Sequence, residues 1–148
     1  MRKLYHIPAF MEERRRRPKK EFSILYVDDE APNLRGFKTS FRRLYNVHTA
    51  LNGIEALEIL KKNEINIVVS DHRMPDMSGT ELLAEVYQLN PDIRRMILSG
   101  FIKIDELKEA AKSFGVHNFV SKPWDFEKLK SIFENLVKPN PELMNFNE

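Results

Sequence analysis

The chain contains no cysteine. That excludes disulfides and thiolate metal sites, and it fits a cytoplasmic protein. No apolar run approaches the roughly 20 residues that a membrane-spanning helix needs. The N-terminus is charged but has no apolar segment behind it, so a signal peptide is not expected. There is no internal repeat, and no low-complexity segment beyond one arginine run. What remains is ordinary for a soluble globular protein: 42% hydrophobic and 31% charged residues in a chain of 148. That length is enough for one domain with a real core and too short for two comfortable ones.

The formal net charge of +2 hides a division. Residues 1–21 hold eight Lys/Arg against three Glu, a net +5, which leaves the body at −3. The run Arg14-Arg15-Arg16-Arg17-Pro18-Lys19-Lys20 has no sustained period, and its self-repulsion predicts a flexible or loosely attached arm. Its plain reading is a solvated tail. A sharper one is contact of Arg14, Arg15, Arg16 and Arg17 with an anionic surface, nucleic acid or membrane. Met11 is an alternative start. The end of the chain, 139–148, reads as a tail or a truncated linker.

The stretch from Ile65 to Val69 is β-branched and apolar apart from Asn66, so it predicts a strand buried on both faces. It stops at Asp71. Met74-Pro75 and Ser78-Gly79 form a turn, and Ser78 with Glu81 resembles a capping box that opens a helix. The same alternation recurs along residues 22–138. Strands are expected at Phe22–Val27, Val47–Ala50, Ile65–Val69, Ile93–Leu98 and Val116–Ser121. The helices between and after them present Leu34, Phe37, Phe41 and Leu44; Ile54, Leu57 and Leu60; Leu82, Leu83, Val86 and Leu89; Ile104, Leu107, Ala111 and Phe114; and Phe126, Leu129, Phe133 and Leu136. Gly115 is the expected stop of the fourth helix. Five strands alternating with five helices predict one doubly wound parallel α/β sheet with helices on both faces.

The strand ends are chemically selective. The first ends in Asp28 and Asp29, the third in Asp71, the fourth in Ser99 and the fifth in Lys122. In a parallel sheet these ends share one edge, so residues from four strands converge in one shallow pocket. Three crowded carboxylates repel one another at neutral pH unless a cation joins them. Hard oxygen donors suit Mg²⁺. An Asp beside Mg²⁺ is a competent nucleophile toward phosphorus, and Lys122 offers charge to phosphoryl oxygens. Singly, each residue has a plainer reading: a helix cap, a turn serine, a solvated lysine.

Together, with their spacing, Val27-Asp28-Asp29-Glu30, Asp71-His72-Arg73-Met74-Pro75-Asp76-Met77-Ser78-Gly79, Leu98-Ser99-Gly100 and Lys122-Pro123-Trp124 resemble the receiver domain of bacterial two-component response regulators. The resemblance covers about residues 22–137. It implies a flavodoxin-like (βα)5 fold with strand order 2-1-3-4-5. It also implies that Asp71 accepts the phosphoryl group. Asp29 would bind Mg²⁺ directly, Asp28 through a water, and the backbone carbonyl of Arg73 would be a further ligand. Lys122 would pair with the phosphoryl group ahead of a cis Pro123. Ser99 would be the switch hydroxyl and Phe119 the switch aromatic, although plain core packing is the competing reading of Phe119. The implied donor is a histidine kinase or histidine phosphotransfer protein. The implied output is a partner read by the helix 4/strand 5/helix 5 face.

The resemblance does not extend to the helix 4/helix 5 dimer of DNA-binding members, because His117 and Asn118 stand where those carry acids. Pro123-Trp124-Asp125 with Arg73-Met74-Pro75 looks more like receivers joined to cyclic-dinucleotide phosphodiesterases or hybrid kinases. A phospho-switched nucleic-acid or membrane tether acting through the arm is the alternative function. A dedicated phosphatase is not expected, since it needs a second acid to activate water, and Asp76 lies in a loop. The bulk and charge of Arg73 and Phe101 beside the site predict a long-lived phospho-form.

Overall fold

A computed structural model describes residues 8, 9, 20–113 and 115–138. The arm with Arg14–Arg17 and the tail 139–148 lie outside the described residues, as does Phe114. In chain order the elements are β1 (Ser23–Val27), α1 (Ala31–Phe41), β2 (Asn46–Ala50), α2 (Gly53–Lys62), β3 (Ile67–Ser70), α3 (Gly79–Leu89), β4 (Arg94–Ser99), α4 (Ile104–Ser113), β5 (Asn118–Ser121) and α5 (Phe126–Val137). The strands form one sheet in the order β2-β1-β3-β4-β5, and each neighbouring pair is parallel. This is the doubly wound arrangement that the alternation of short apolar runs and amphipathic helices demands.

The sheet separates two cores. On one face Tyr26, Ile67, Val69, Met96 and Leu98 meet α1 and α5. That side is aromatic: Phe37, Phe41, Tyr45 and Phe133 pack with ring centroids 4.8 to 6.1 Å apart, Phe41 and Tyr45 stacked and the other pairs tilted or edge-on. On the other face Leu25, Val27, Val68 and Ile97 meet Ala56 of α2 and Leu82, Leu83 and Val86 of α3.

Helix starts follow local chemistry. The side chains of Asn52, Ser78 and Asp125 accept from the amides of Glu55, Glu81 and Lys128, respectively, satisfying donors that a helix N-terminus leaves unpaired. Pro32 sits in the first turn of α1, where a missing N–H costs nothing. Gly115 has φ +78°, and its amide reaches back to the Ala110 carbonyl at 3.1 Å, closing α4 in the left-handed conformation that glycine tolerates.

Several expected core positions face outward. Ile54 and Ile104 are each 69% exposed, and Leu89 is also exposed. In α4 the buried residue is Ala110 and not Ala111. Spacings of three and four fit more than one stripe on a short helix, and a helix with few neighbours buries a narrower stripe than the periodicity suggests. His117, which stands in the acidic position of the DNA-binding members, serves the sheet instead. Its Nδ1 accepts from the Arg95 amide at 2.9 Å, and its own amide donates to the Arg95 carbonyl at 2.7 Å.

Candidate functional site

β3 delivers Asp71 to the sheet edge. Its amide continues the ladder to the Val27 carbonyl at 2.8 Å, so the backbone is fixed up to the residue that leaves the strand. Gly79, at the start of α3, closes the loop that follows. Its amide donates to the His72 carbonyl at 2.8 Å, and a Cβ there would overlap the Asp71 carbonyl oxygen. Glycine is required at this position because two backbones meet directly behind the carboxylate.

The Asp71 side chain is held on both oxygens. Oδ1 accepts from Ser99 Oγ at 2.8 Å and from the His72 amide at 2.7 Å. Oδ2 accepts from Lys122 Nζ at 3.1 Å. Lys122 also donates to Asp28 Oδ2 at 2.7 Å, and the Lys122–Pro123 peptide is cis. Asp28 is fully buried. Its Oδ2 additionally accepts from Tyr26 Oη at 2.7 Å and Asn33 Nδ2 at 3.1 Å, while Oδ1 takes the Glu30 amide at 2.9 Å.

These contacts set the charges. Burial pushes the Asp28 carboxyl up, but the hydrogen bonds from Lys122, Tyr26 and the Glu30 amide, with the Lys122 charge, outweigh it and hold Asp28 below the usual range. Burial likewise lowers Lys122, and its bonds to Asp28 and Asp71 more than reverse that, so it is raised. The Tyr26 hydroxyl is pushed far up, first by burial and then by its bond to Asp28, and stays a donor.

Asp28, Asp29 and Asp71 each offer a carboxylate oxygen within 4.8 Å of the others, with Asp29 exposed at the mouth. An all-oxygen set, partly open to water, fits a hard divalent ion such as Mg²⁺. Across the mouth the Arg73 guanidinium lies 4.6 Å from the centroid of the Phe101 ring. Phe119 is half-buried against the α2/α3 core.

The sequence reading therefore named Asp28, Asp29, Asp71, Ser99 and Lys122, and the fold brings all five to one edge. It missed Tyr26 and Asn33. Tyr26 precedes Asp28 by two, on the same face of the extended chain, and a phenol that close to a buried acid is the signal that could have found it.

Residues 24–134 match the family model for the response regulator receiver domain. The chain belongs to that family. The receiver is 32% identical over 117 residues to sensor kinase CckA of Brucella abortus, covering 78% of this chain and 12% of that protein. It is 35% identical over 111 residues to transcriptional regulatory protein ZraR of Klebsiella oxytoca, covering 74% of this chain and 25% of that one. It thus spans a quarter or less of these two relatives. Among solved structures, a response regulator receiver domain protein from Clostridium thermocellum aligns with TM-score 0.75 at 29% identity, covering 84% of this chain and all of that one. The signal receiver domain of an HD domain-containing protein from Pseudomonas fluorescens aligns with TM-score 0.73 at 29% identity, covering 78% and 94%. The strand order and flavodoxin-like topology expected from the sequence are those of this family, and the receiver belongs to two-component phosphorelay signalling. Among the described residues no helix is long and apolar enough to cross a membrane.

Proposed function

We propose that this receiver accepts a phosphoryl group on Asp71 from a histidine kinase or histidine phosphotransfer protein, with Mg²⁺ in the acidic pocket. The observation behind this reading is the Asp71 carboxylate, fixed between Ser99 and Lys122 with two further carboxylates beside it. A carboxylate oxygen of Asp71 attacks phosphorus. The P–O bond forms as the P–N bond to the donor imidazole breaks, and the imidazole leaves with the electron pair. A carboxylate nucleophile needs no general base to attack. Lys122 compensates charge on the phosphoryl oxygens.

Asp29 directly, Asp28 through a water, Asp71 and the Arg73 carbonyl would hold the ion, which would supply countercharge to the carboxylates and the phosphoryl group. The Ser99 hydroxyl then turns from Asp71 Oδ1 to the new anion, Phe119 follows, and the α4/β5/α5 face is presented to a partner protein. The domain is an acceptor and not a dedicated enzyme, because the acids beside Asp71 are committed to the ion and to Lys122. Intact mass after incubation with phosphoramidate and Mg²⁺ tests the reading: one phosphoryl adduct is expected, and none on a folded protein contradicts it.

The donor has an approach. A groove of about 500 Å³ is lined by Pro32, Gly36 and Phe37 of α1 and by Lys122, Pro123 and Trp124, and it ends at the lysine that contacts Asp71. Nothing lies within 4 Å of where a Gly36 Cβ would stand, so Gly36→Arg should fold normally. It is expected to slow transfer from a kinase that labels the wild type by at least about tenfold, as truncated contacts at interface centres do. Labelling by phosphoramidate should be unchanged. Equal loss with both donors would mean that the groove does not receive the kinase.

The Arg73–Phe101 pair narrows the path of water to the acyl phosphate. The phospho-form is therefore expected to persist for minutes or longer in purified protein; decay within seconds would contradict this.

A further inference from the structure

Helix α4 is the least anchored of the five. Among its described residues only Ala110 is buried, whereas α3 buries four residues and α1 three. It packs mainly on α3. Its first turn is held by one polar contact: Glu106 Oε2 lies 2.8 Å from His72 Nε2. The imidazole is 90% buried while the carboxylate is about half exposed, and Nδ1 of the same ring has no partner, so Glu106 is the recorded polar partner of a buried ring. His72 follows Asp71 directly, and its own amide donates to Asp71 Oδ1.

We infer that the His72–Glu106 contact is a latch that holds α4 in its unphosphorylated position; this rests on Asp71 being the phosphoacceptor. The two ends of the latch belong to parts that must move relative to one another. His72 stays with β3, because its carbonyl holds the Gly79 amide and its amide holds Asp71. Glu106 follows Ser99. In the resting site Ser99 Oγ donates its one proton to Asp71 Oδ1 at 2.8 Å and accepts from the Phe101 amide at 3.5 Å. A phosphoryl group draws that hydroxyl away and releases the Phe101 amide. Two residues, Ile102 and Lys103, separate Phe101 from the first residue of α4. The displacement enters the turn that carries Glu106 and pulls against His72. A contact formed in one state and strained in the other biases both, so phosphorylation weakens the latch and loss of the latch favours phosphorylation.

The test compares the full chain with Glu106→Ala and Glu106→Gln. Glutamine keeps an acceptor for Nε2–H, and position 106 is exposed enough that neither change should affect folding, which a urea midpoint verifies. Phosphoramidate with Mg²⁺ is the donor. Glu106→Ala is expected to be labelled roughly three- to tenfold faster than the wild type, the range a hydrogen bond of ordinary net strength allows. Amide exchange in α4 should also be faster before any donor is added. Glu106→Gln should restore both toward wild type. Unchanged labelling of Glu106→Ala would overturn the latch even if α4 exchange rises, since the contact would then be structural alone. Equal behaviour of Gln and Ala would overturn it too. Absence of an adduct on the wild type would instead strike the phosphoacceptor reading.

Discussion

Asp71→Ala is expected to abolish the phosphoryl adduct that phosphoramidate and Mg²⁺ place on the wild type. The neighbours cannot substitute. Asp28 is fully buried, and its Oδ2 is enclosed by the donors Lys122, Tyr26 and Asn33, so a phosphodonor cannot reach it. Asp29 is exposed at the mouth and makes no recorded contact with Lys122 or Ser99. Ser99 is a neutral alcohol whose nearest base is the carboxylate that the substitution removes. The same variant should be at least as resistant to urea as the wild type, because deleting one of three crowded carboxylates relieves repulsion while Lys122 keeps its shorter bond to Asp28. Intact mass and a urea titration on one preparation give both answers. A residual adduct would move the acceptor to another acid, and a large loss of stability would mean that Asp71 holds the loop together.

Arg95→Ala is expected to lower stability by about 3 kcal/mol, the largest effect away from the pocket. Arg95 is 3% exposed. Its Nε donates to the Gly115 carbonyl at 3.0 Å, and its Nη1 donates to the carbonyls of Pro91 and Ile93 at 3.0 and 2.7 Å. The guanidinium also lies 5.1 Å from the Tyr87 ring centroid. One side chain therefore satisfies the turn after α3, the start of β4 and the end of α4. Truncation leaves three carbonyls without their donor and opens a space that water fills imperfectly. Lysine should recover little, since a single ammonium cannot reproduce the planar fork. Urea denaturation checks this; a loss below about 1 kcal/mol would mean that the carbonyls find water readily.

How much of this could be read in the sequence depended on how local each signal was. Strand β3 and Asp71 were legible because a β-branched run and the acid that stops it are adjacent. The cap at Ser78 was legible because a cap acts within three residues. The faces of α2 and α4 were less so. Ile54 and Ile104 fit an apolar stripe in one dimension, but which stripe is covered depends on neighbours that arrive from distant sequence. His72 and Glu106 are 34 residues apart, and nothing in either segment points to the other. Arg95 gave a partial sign: a charge inside a strand buried on both faces must be paired, although its partners, carbonyls at Pro91, Ile93 and Gly115, have no signature of their own.

The two cores on opposite faces of the sheet have a consequence for traffic through the pathway. The groove beside Lys122 belongs to the α1/α5 side, while α4 rests on α3 on the opposite side. On the proposed function, a donor seated in the groove and the movement of α4 would approach one carboxylate from opposite faces of the sheet, so a single acid would couple two surfaces that share no core.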